Sequence, residues 1–327
     1  MYKLHDYARM IADGARMGPY VRALEFAVRP GAVVADIGTG TGIVALVACR
    51  LGARRVYAID TNEAIEAGRE LARENGVADR IVFIHDDARS VDLPERADVV
   101  VSDLRGALPL YGDHLAIVAD ARNRFLKPGG VLIPERDNLA VAVVECRELY
   151  EWALGPSSGP LGITLDAMRA RLRNTPLRDR SEAPLAQTHL ITNSVRWASL
   201  EYRSLEAVPV GGEARLRVSR AGIGHGLVVW FEATLSGGET FSTAPGHENS
   251  YGRLFLPWPR PLTLSSGDTV DVQLWAQANG EPWGWNSRVE GTSGVGESFK
   301  QSSFLSSTLK PAKPVVPLAT LSQSDRS

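Results

Sequence analysis

The stretch VVADIGTGTG at residues 33–42 decides the fold. A β-rich apolar run carries Asp36 near its end, and Gly38, Gly40 and Gly42 follow at alternate positions. GIVALVACRL at 42–51 then has the length and apolar spacing of a helix, and RVYAID at 55–60 reads as a second strand ending in Asp60. Glycines let the chain turn tightly and let another group approach the backbone closely. A helix that starts just after such a turn offers unpaired N–H groups.

Moving outward, IVFIHD at 81–86, ADVVVSD at 97–103 and GGVLIP at 129–134 continue the strand series. Helices are expected at 62–74, with Asn62 as a cap, and at 115–126. Strands this continuously apolar are buried on both faces, so the pattern predicts an α/β domain with a parallel sheet. After Pro134 the character shifts. RDNLAVAVVEC at 136–146 reads as a strand leaving the sheet, and ITLDAMRARLR at 163–173 as a short helix. WASLEYRSL, ARLRVS, GLVVWFEATL and TVDVQLWAQA then alternate with glycine-containing turns, as in antiparallel β structure. Six of the seven tryptophans lie from Trp197 onward, which suits a β domain plugged by bulky side chains or one with an aromatic groove. The expected organisation is residues 1–134, residues 135–304 and a surface-lying or flexible tail at 305–327 rich in Pro and Ser.

The net charge of −2 argues against a nucleic-acid-binding surface spread over the chain. Two cysteines make no disulfide framework and point to reduced thiols and a cytoplasmic chain. The charged opening MYKLHDYARM lacks the apolar core of a signal peptide, and no apolar window is long enough to span a membrane. Neither a zinc-type His/Cys cluster nor a Ser/His/Asp nucleophile arrangement is visible, so no metal site is expected.

A glycine turn of this kind suits either a nicotinamide dinucleotide or a nucleoside-bearing methyl donor. Asp60 is placed to accept hydrogen bonds from two ribose hydroxyls. Asp36 favours the methyl donor, because a carboxylate there can fix an amino-acid group and would repel a pyrophosphate. Asp87, in the His85-Asp86-Asp87-Ala88 segment after the next strand, either meets an adenine amino group or is a solvated loop acid.

Asp36-Ile-Gly-Thr-Gly-Thr-Gly42, Val56-Tyr-Ala-Ile-Asp60 and Phe125-Leu-Lys-Pro-Gly-Gly130 together resemble class I S-adenosylmethionine-dependent methyltransferases. Met10-Ile-Ala-Asp13-Gly-Ala-Arg16-Met-Gly-Pro-Tyr20, Val101-Ser-Asp-Leu-Arg-Gly106 and Leu132-Ile-Pro134 resemble the protein arginine methyltransferases within that class. The resemblance covers essentially residues 1–300. It implies a Rossmann-like S-adenosyl-L-methionine domain, a β-barrel-like domain and a dimerisation arm at 145–173, hence a homodimer. It also implies that Arg16 holds the donor carboxylate, Asp60 the ribose, and Asp87 with Ala88 the adenine edge. From the residues alone, an arginine placed like Arg16 is more often a solvated one.

Two departures concern the acceptor. The family's two-glutamate loop corresponds to Ser102-Asp103-Leu-Arg-Gly-Ala-Leu-Pro-Leu-Tyr111-Gly112-Asp113-His114. Asp103 matches the first glutamate, Gly112 the second, and Asp113 lies one position late. Arg105 adds a positive charge where a guanidinium would sit. The family's Thr-His-Trp element corresponds to Pro245-Gly-His-Glu-Asn-Ser250-Tyr-Gly-Arg253. His247, Asn249 and Tyr251 are thus candidates for the acceptor side, or simply loop residues, and His114 is a candidate proton acceptor. The expected catalytic set is Asp103, Asp113, His114 and His247. The run Arg169, Arg171, Arg173, Arg178 and Arg180 is a solvated face or a contact for an acidic partner. The leading expectation is methyl transfer to a small metabolite or modified peptide. The alternatives are arginine N-methylation and a donor-binding scaffold without transfer.

Overall fold

The computed structural model describes residues 2–179, 185–206, 208–247, 249–291 and 296–305. The expected tail therefore lies outside the described residues from 306 on, as does Arg180.

Two helices, α1 (Leu4–Ala12) and α2 (Gly14–Ala27), meet at Asp13. The glycine segment then forms as expected: β1 (Val33–Ile37), α3 (Ile43–Arg50), β2 (Arg55–Asp60), α4 (Ile65–Glu74), β3 (Ile81–His85), β4 (Ala97–Ser102), α5 (His114–Phe125) and β5 (Leu126–Ile133). The sheet order is β3-β2-β1-β4-β5 and every pair is parallel. All five residues of β1 are buried, which accounts for their apolar character apart from Asp36. Helix α4 starts later than expected. Asp60 accepts the Asn62 amide and Asn62 accepts the Ala64 amide, so the chain turns once before the helix begins.

The second half contains β6 (Arg136–Val144), α6 (Arg147–Leu154), α7 (Asp166–Leu172), β7 (Leu177–Asp179), β8 (Val195–Glu201), β9 (Val210–Arg217), β10 (Gly222–Thr234), β11 (Thr240–Ser242), β12 (Arg253–Leu264), β13 (Thr269–Ala276), β14 (Trp283–Glu290) and β15 (Gly296–Ser302). One antiparallel sheet runs β7-β12-β10-β6-β8, with β11 beside β10, and a second runs β15-β14-β13-β9. Their tryptophans are structural plugs. Trp230, Trp258, Trp283 and Trp285 are fully buried, and the indole N–H groups of Trp258 and Trp285 donate to Ser287 and Gln301. Helix α7 is shorter than the expected 163–173. Leu161 is left-handed, and Thr164 bridges back to Ser158 before the helix can start.

No helix among the described residues is long and apolar enough to cross a membrane.

Candidate active site

Strand order reverses between β1 and β4. Their carboxyl ends lie side by side, with Asp36 opposite Val101 and Ile37 opposite Ser102. Open α/β sheets bind ligands at such a point. The glycine turn leaves β1 here, held by the Gly38 and Thr39 amides on the Ile59 carbonyl. Gly38 and Gly40 are left-handed, at φ 76° and 55°. A Cβ on Gly38 would come within 2.3 Å of Leu104, and one on Gly40 within 2.4 Å of the Tyr7 ring. Only glycine serves at both positions.

Asp60 accepts the Gly40 amide at 2.7 Å on one oxygen and the Asn62 amide at 2.7 Å on the other. Each oxygen keeps a further lone pair for a hydroxyl. Asp36 accepts the Thr39 hydroxyl at 2.6 Å, and burial pushes its pKa up to about 7. Asp87 is held below the ordinary carboxylate range mainly by its hydrogen bonds from Arg89. Ala88 is buried, and its carbonyl accepts from Arg124 at 2.6 Å.

The methyl donor's polar groups find matching partners here: carboxylates for ribose and for an ammonium, an arginine for a carboxylate, and a glycine cradle for close approach. Room is the limitation. The cavity between Tyr7, Met10, Arg16, Tyr20, Asp36 and Asp103 is about 50 Å³, whereas small-molecule pockets run to roughly 300–1,000 Å³. Tyr7 of α1 lies over Gly40 and narrows this space. No residue of that helix is fully buried.

Asp103 follows β4 and is where the two halves of the chain meet. Its Oδ2 accepts from Arg16 Nε at 2.7 Å and from the Tyr251 hydroxyl at 2.6 Å, and lies 2.6 Å from a terminal Arg16 nitrogen. Among the described residues, its Oδ1 has only Arg105 within hydrogen-bond range, at 3.5 Å. Burial alone would raise the Asp103 pKa, but the Arg16 and Arg105 charges overcome it and keep the carboxyl below its usual range. Tyr251 is stacked on Phe241 at 5.5 Å and set edge-on to Phe231 at 5.2 Å. Burial, reinforced by Asp103, raises its pKa, so the phenol stays a donor. Arg178 donates to the Tyr251 carbonyl at 2.6 Å and braces it from behind. Asp13 ties the same loop to α2, accepting the Arg16 amide on one oxygen and the Ser250 amide at 2.7 Å on the other.

Of the expected catalytic set, only Asp103 stands at this junction. Asp113 is half exposed and paired with Arg89 at 2.9 Å, because its position one residue late turns it outward. His114 is buried, its Nε2 2.9 Å from the Tyr202 hydroxyl, and burial pushes its pKa down to about 3. It takes no proton near neutral pH. His247 is exposed, and its carbonyl serves Arg253 and Asn249. Tyr251, four residues on, is the loop residue that reaches Asp103. Reading the segment as a frame aligned with the Thr-His-Trp element locates this loop, but the choice within it depends on which side chain faces inward.

Arg105 puts its charge beside Asp103, as expected, but from inside the fold. It is completely buried, 2.8 Å from Asp137 Oδ2, and its guanidinium lies 5.4 Å from the Phe231 and Phe241 ring centres and 5.7 Å from that of Tyr20. Tyr202 donates to the same Asp137 oxygen at 2.6 Å.

Residues 20–134 match the family model for ribosomal protein L11 methyltransferase (PrmA). A probable protein arginine N-methyltransferase 6 of Arabidopsis thaliana is 28% identical over 249 residues, covering 71% of this chain and 56% of the relative. Protein arginine N-methyltransferase 6 of Xenopus laevis is 28% identical over 284 residues, covering 82% of this chain and 83% of the relative. The chain thus spans just over half the length of the Arabidopsis relative. In structure it is similar to a chain of the Trypanosoma brucei PRMT1 enzyme–prozyme heterotetramer with AdoHcy, at TM-score 0.81, 22% identity and coverage of 92% of this chain and 98% of that one. It is also similar to Arabidopsis thaliana protein arginine methyltransferase 10, at TM-score 0.77, 21% identity and coverage of 92% and 97%.

Proposed function

We propose that this chain, in sequence and fold a class I S-adenosylmethionine-dependent methyltransferase resembling the protein arginine methyltransferases, transfers methyl groups to arginine side chains of protein or peptide acceptors. The observation that carries the reading is Asp103, an ionised carboxylate at the end of β4 that lines the cavity and whose Oδ1 has a long contact, 3.5 Å, to Arg105. The relatives named as arginine N-methyltransferases favour this acceptor over the small metabolite that the sequence alone put first.

When bound, the donor supplies an electrophilic methyl group on a sulfonium centre. The chain's residues divide the remaining work. Asp60 takes ribose hydroxyls, Asp87 and Ala88 the base, and Arg16 the donor carboxylate. Asp103 Oδ1 accepts one N–H of the acceptor and turns its nitrogen lone pair toward the methyl carbon, a positioning task suited to a carboxylate of depressed pKa. The nitrogen–carbon bond forms as the carbon–sulfur bond breaks, and the acceptor then loses a proton to water. Closure of α1 keeps bulk water from the reacting groups. Incubation with the donor and arginine peptides tests this by intact mass. Methylarginine supports the reading, and quiet peptides beside a methylated metabolite reject it.

A second reading is favoured by Gly112 and the outward-turned Asp113: a donor-binding subunit with no transfer of its own. Tight donor binding without methylation of any extract component distinguishes it.

The assembly we propose is a homodimer made through the 145–173 segment, in the cytoplasm. Leu149 in this segment is buried within its own chain. Trp152, at 54% exposure, Leu161, at 103%, Ile163 and Met168 remain open on the surface and offer the contact.

A further inference from the structure

Arg105 and Asp137 form a buried pair that the transfer reaction does not require. Its polarity has a consequence for the acceptor. Asp137 takes the Nε side of the guanidinium, while NH1 points at Asp103 Oδ1 from 3.5 Å. Asp103 Oδ2 is already filled by Arg16 and Tyr251. The one oxygen free for an acceptor N–H is therefore faced from within by a cation.

Around this oxygen Arg16 and Arg105 stand against Asp103 and Asp137, and Asp36, whose pKa burial pushes up to about 7, lines the same cavity. His114 is neutral, and burial holds Tyr20, Tyr202 and Tyr251 protonated. Neither loop position that could supply a second carboxylate beside Asp103 does so, since Gly112 has no side chain and Asp113 is paired with Arg89. A guanidinium that bonds Oδ1 brings its charge close to that of Arg105, which is unfavourable in a medium of low dielectric.

We infer that Arg105 is a specificity-determining residue: it competes from inside the fold for Asp103 Oδ1, so that the site accepts its substrate by shape and hydrogen bonding and gains little from the substrate's positive charge. The inference rests on the arginine acceptor proposed above and adds how weakly that acceptor's charge is rewarded.

The test compares an arginine peptide with its citrulline counterpart, which has nearly the same shape and no charge. Binding of each to the protein loaded with S-adenosylhomocysteine is measured by calorimetry, and methylarginine is followed separately by mass. The wild type is expected to favour arginine by less than about threefold. Arg105→Met combined with Asp137→Asn removes the pair without leaving a lone buried charge. It is expected to tighten the arginine peptide at least about fivefold and to leave the citrulline peptide within about twofold. A wild type that prefers arginine by tenfold or more overturns the inference, whether or not the double variant folds. An unmoved ratio in a folded variant, or no measurable binding of either peptide, also overturns it. Ratios as expected without any methylarginine would uphold the role of Arg105 and reject the proposed transfer.

Discussion

Replacing His114 with glutamine tests whether this ring is a structural group or an acceptor-side base. Burial, with Arg105 nearby, pushes its pKa down to about 3 from an ordinary 6.5. The unfolded chain binds a proton on this ring at pH 5 and the folded chain does not. Its contribution to stability is therefore fully present above pH 6.5 and is lost as pH falls below that value, down to about 3. Between pH 7 and pH 5 the loss is about 2 kcal/mol. His114→Gln keeps a polar group for the Tyr202 hydroxyl and removes the titration. At pH 7 the variant is expected to cost about 1–2 kcal/mol through imperfect packing. Urea unfolding at pH 7, 6 and 5 then measures the slope, and the wild type is expected to lose about 2 kcal/mol more than the variant over that interval. Stability curves that run parallel in pH would refute the reasoning, because they require a ring that titrates alike in both states.

Asp103→Asn leaves Arg16 and Arg105 facing Asp137 alone. It is expected to cost about 3 kcal/mol and to slow transfer at least about tenfold, read by unfolding and by single-turnover rates. The Asp103 pKa is depressed, so the wild type's advantage is present above pH 4 and closes as pH falls through the lower, folded value. Asp60→Ala frees the Gly40 amide as well as the ribose position and is expected to weaken S-adenosylhomocysteine binding by about 1.5–3 kcal/mol in calorimetry. Tyr251→Phe keeps the stack on Phe241, loses the bond to Asp103 and is expected to cost about 1–2 kcal/mol, with transfer slowed more than donor binding. Trp152→Glu with Leu161→Glu is expected to give monomers in light scattering, and a wild type that is itself monomeric at micromolar concentration would reject the dimer.

The donor half was legible because its elements are local. A strand, three glycines, a helix and a second acid-ended strand follow one another within the segment from Val33 to Asp60, and period and turn chemistry suffice to place them. The acceptor half was not, because it is assembled across the chain. Tyr251 meets Asp103 over a separation of 148 residues, and Asp13 meets Ser250 over 237. Spacing along a loop does not say which side chain turns inward, and so Asp113 and His247 read as well as Tyr251 did. Burial was the other hidden variable. His114 has the residue type of a base, and only its complete enclosure removes that role. Arg105 was visible as a charge near the site, but its ring of aromatic faces and its pairing with Asp137 depend on β6 and β10 packing against the loop.

Asp13 closes α1 and opens α2, and its two carboxylate oxygens hold α2 and the Ser250 amide in place. The junction of α1 with α2 is thus tied to the loop that carries Tyr251. A swing of α1 about this junction would disturb neither the start of α2 nor that loop. Under the proposed function, donor exchange and acceptor alignment would then be mechanically separate, and substitutions in α1 would tune the passage of cofactor and spent product while the acceptor side kept its geometry.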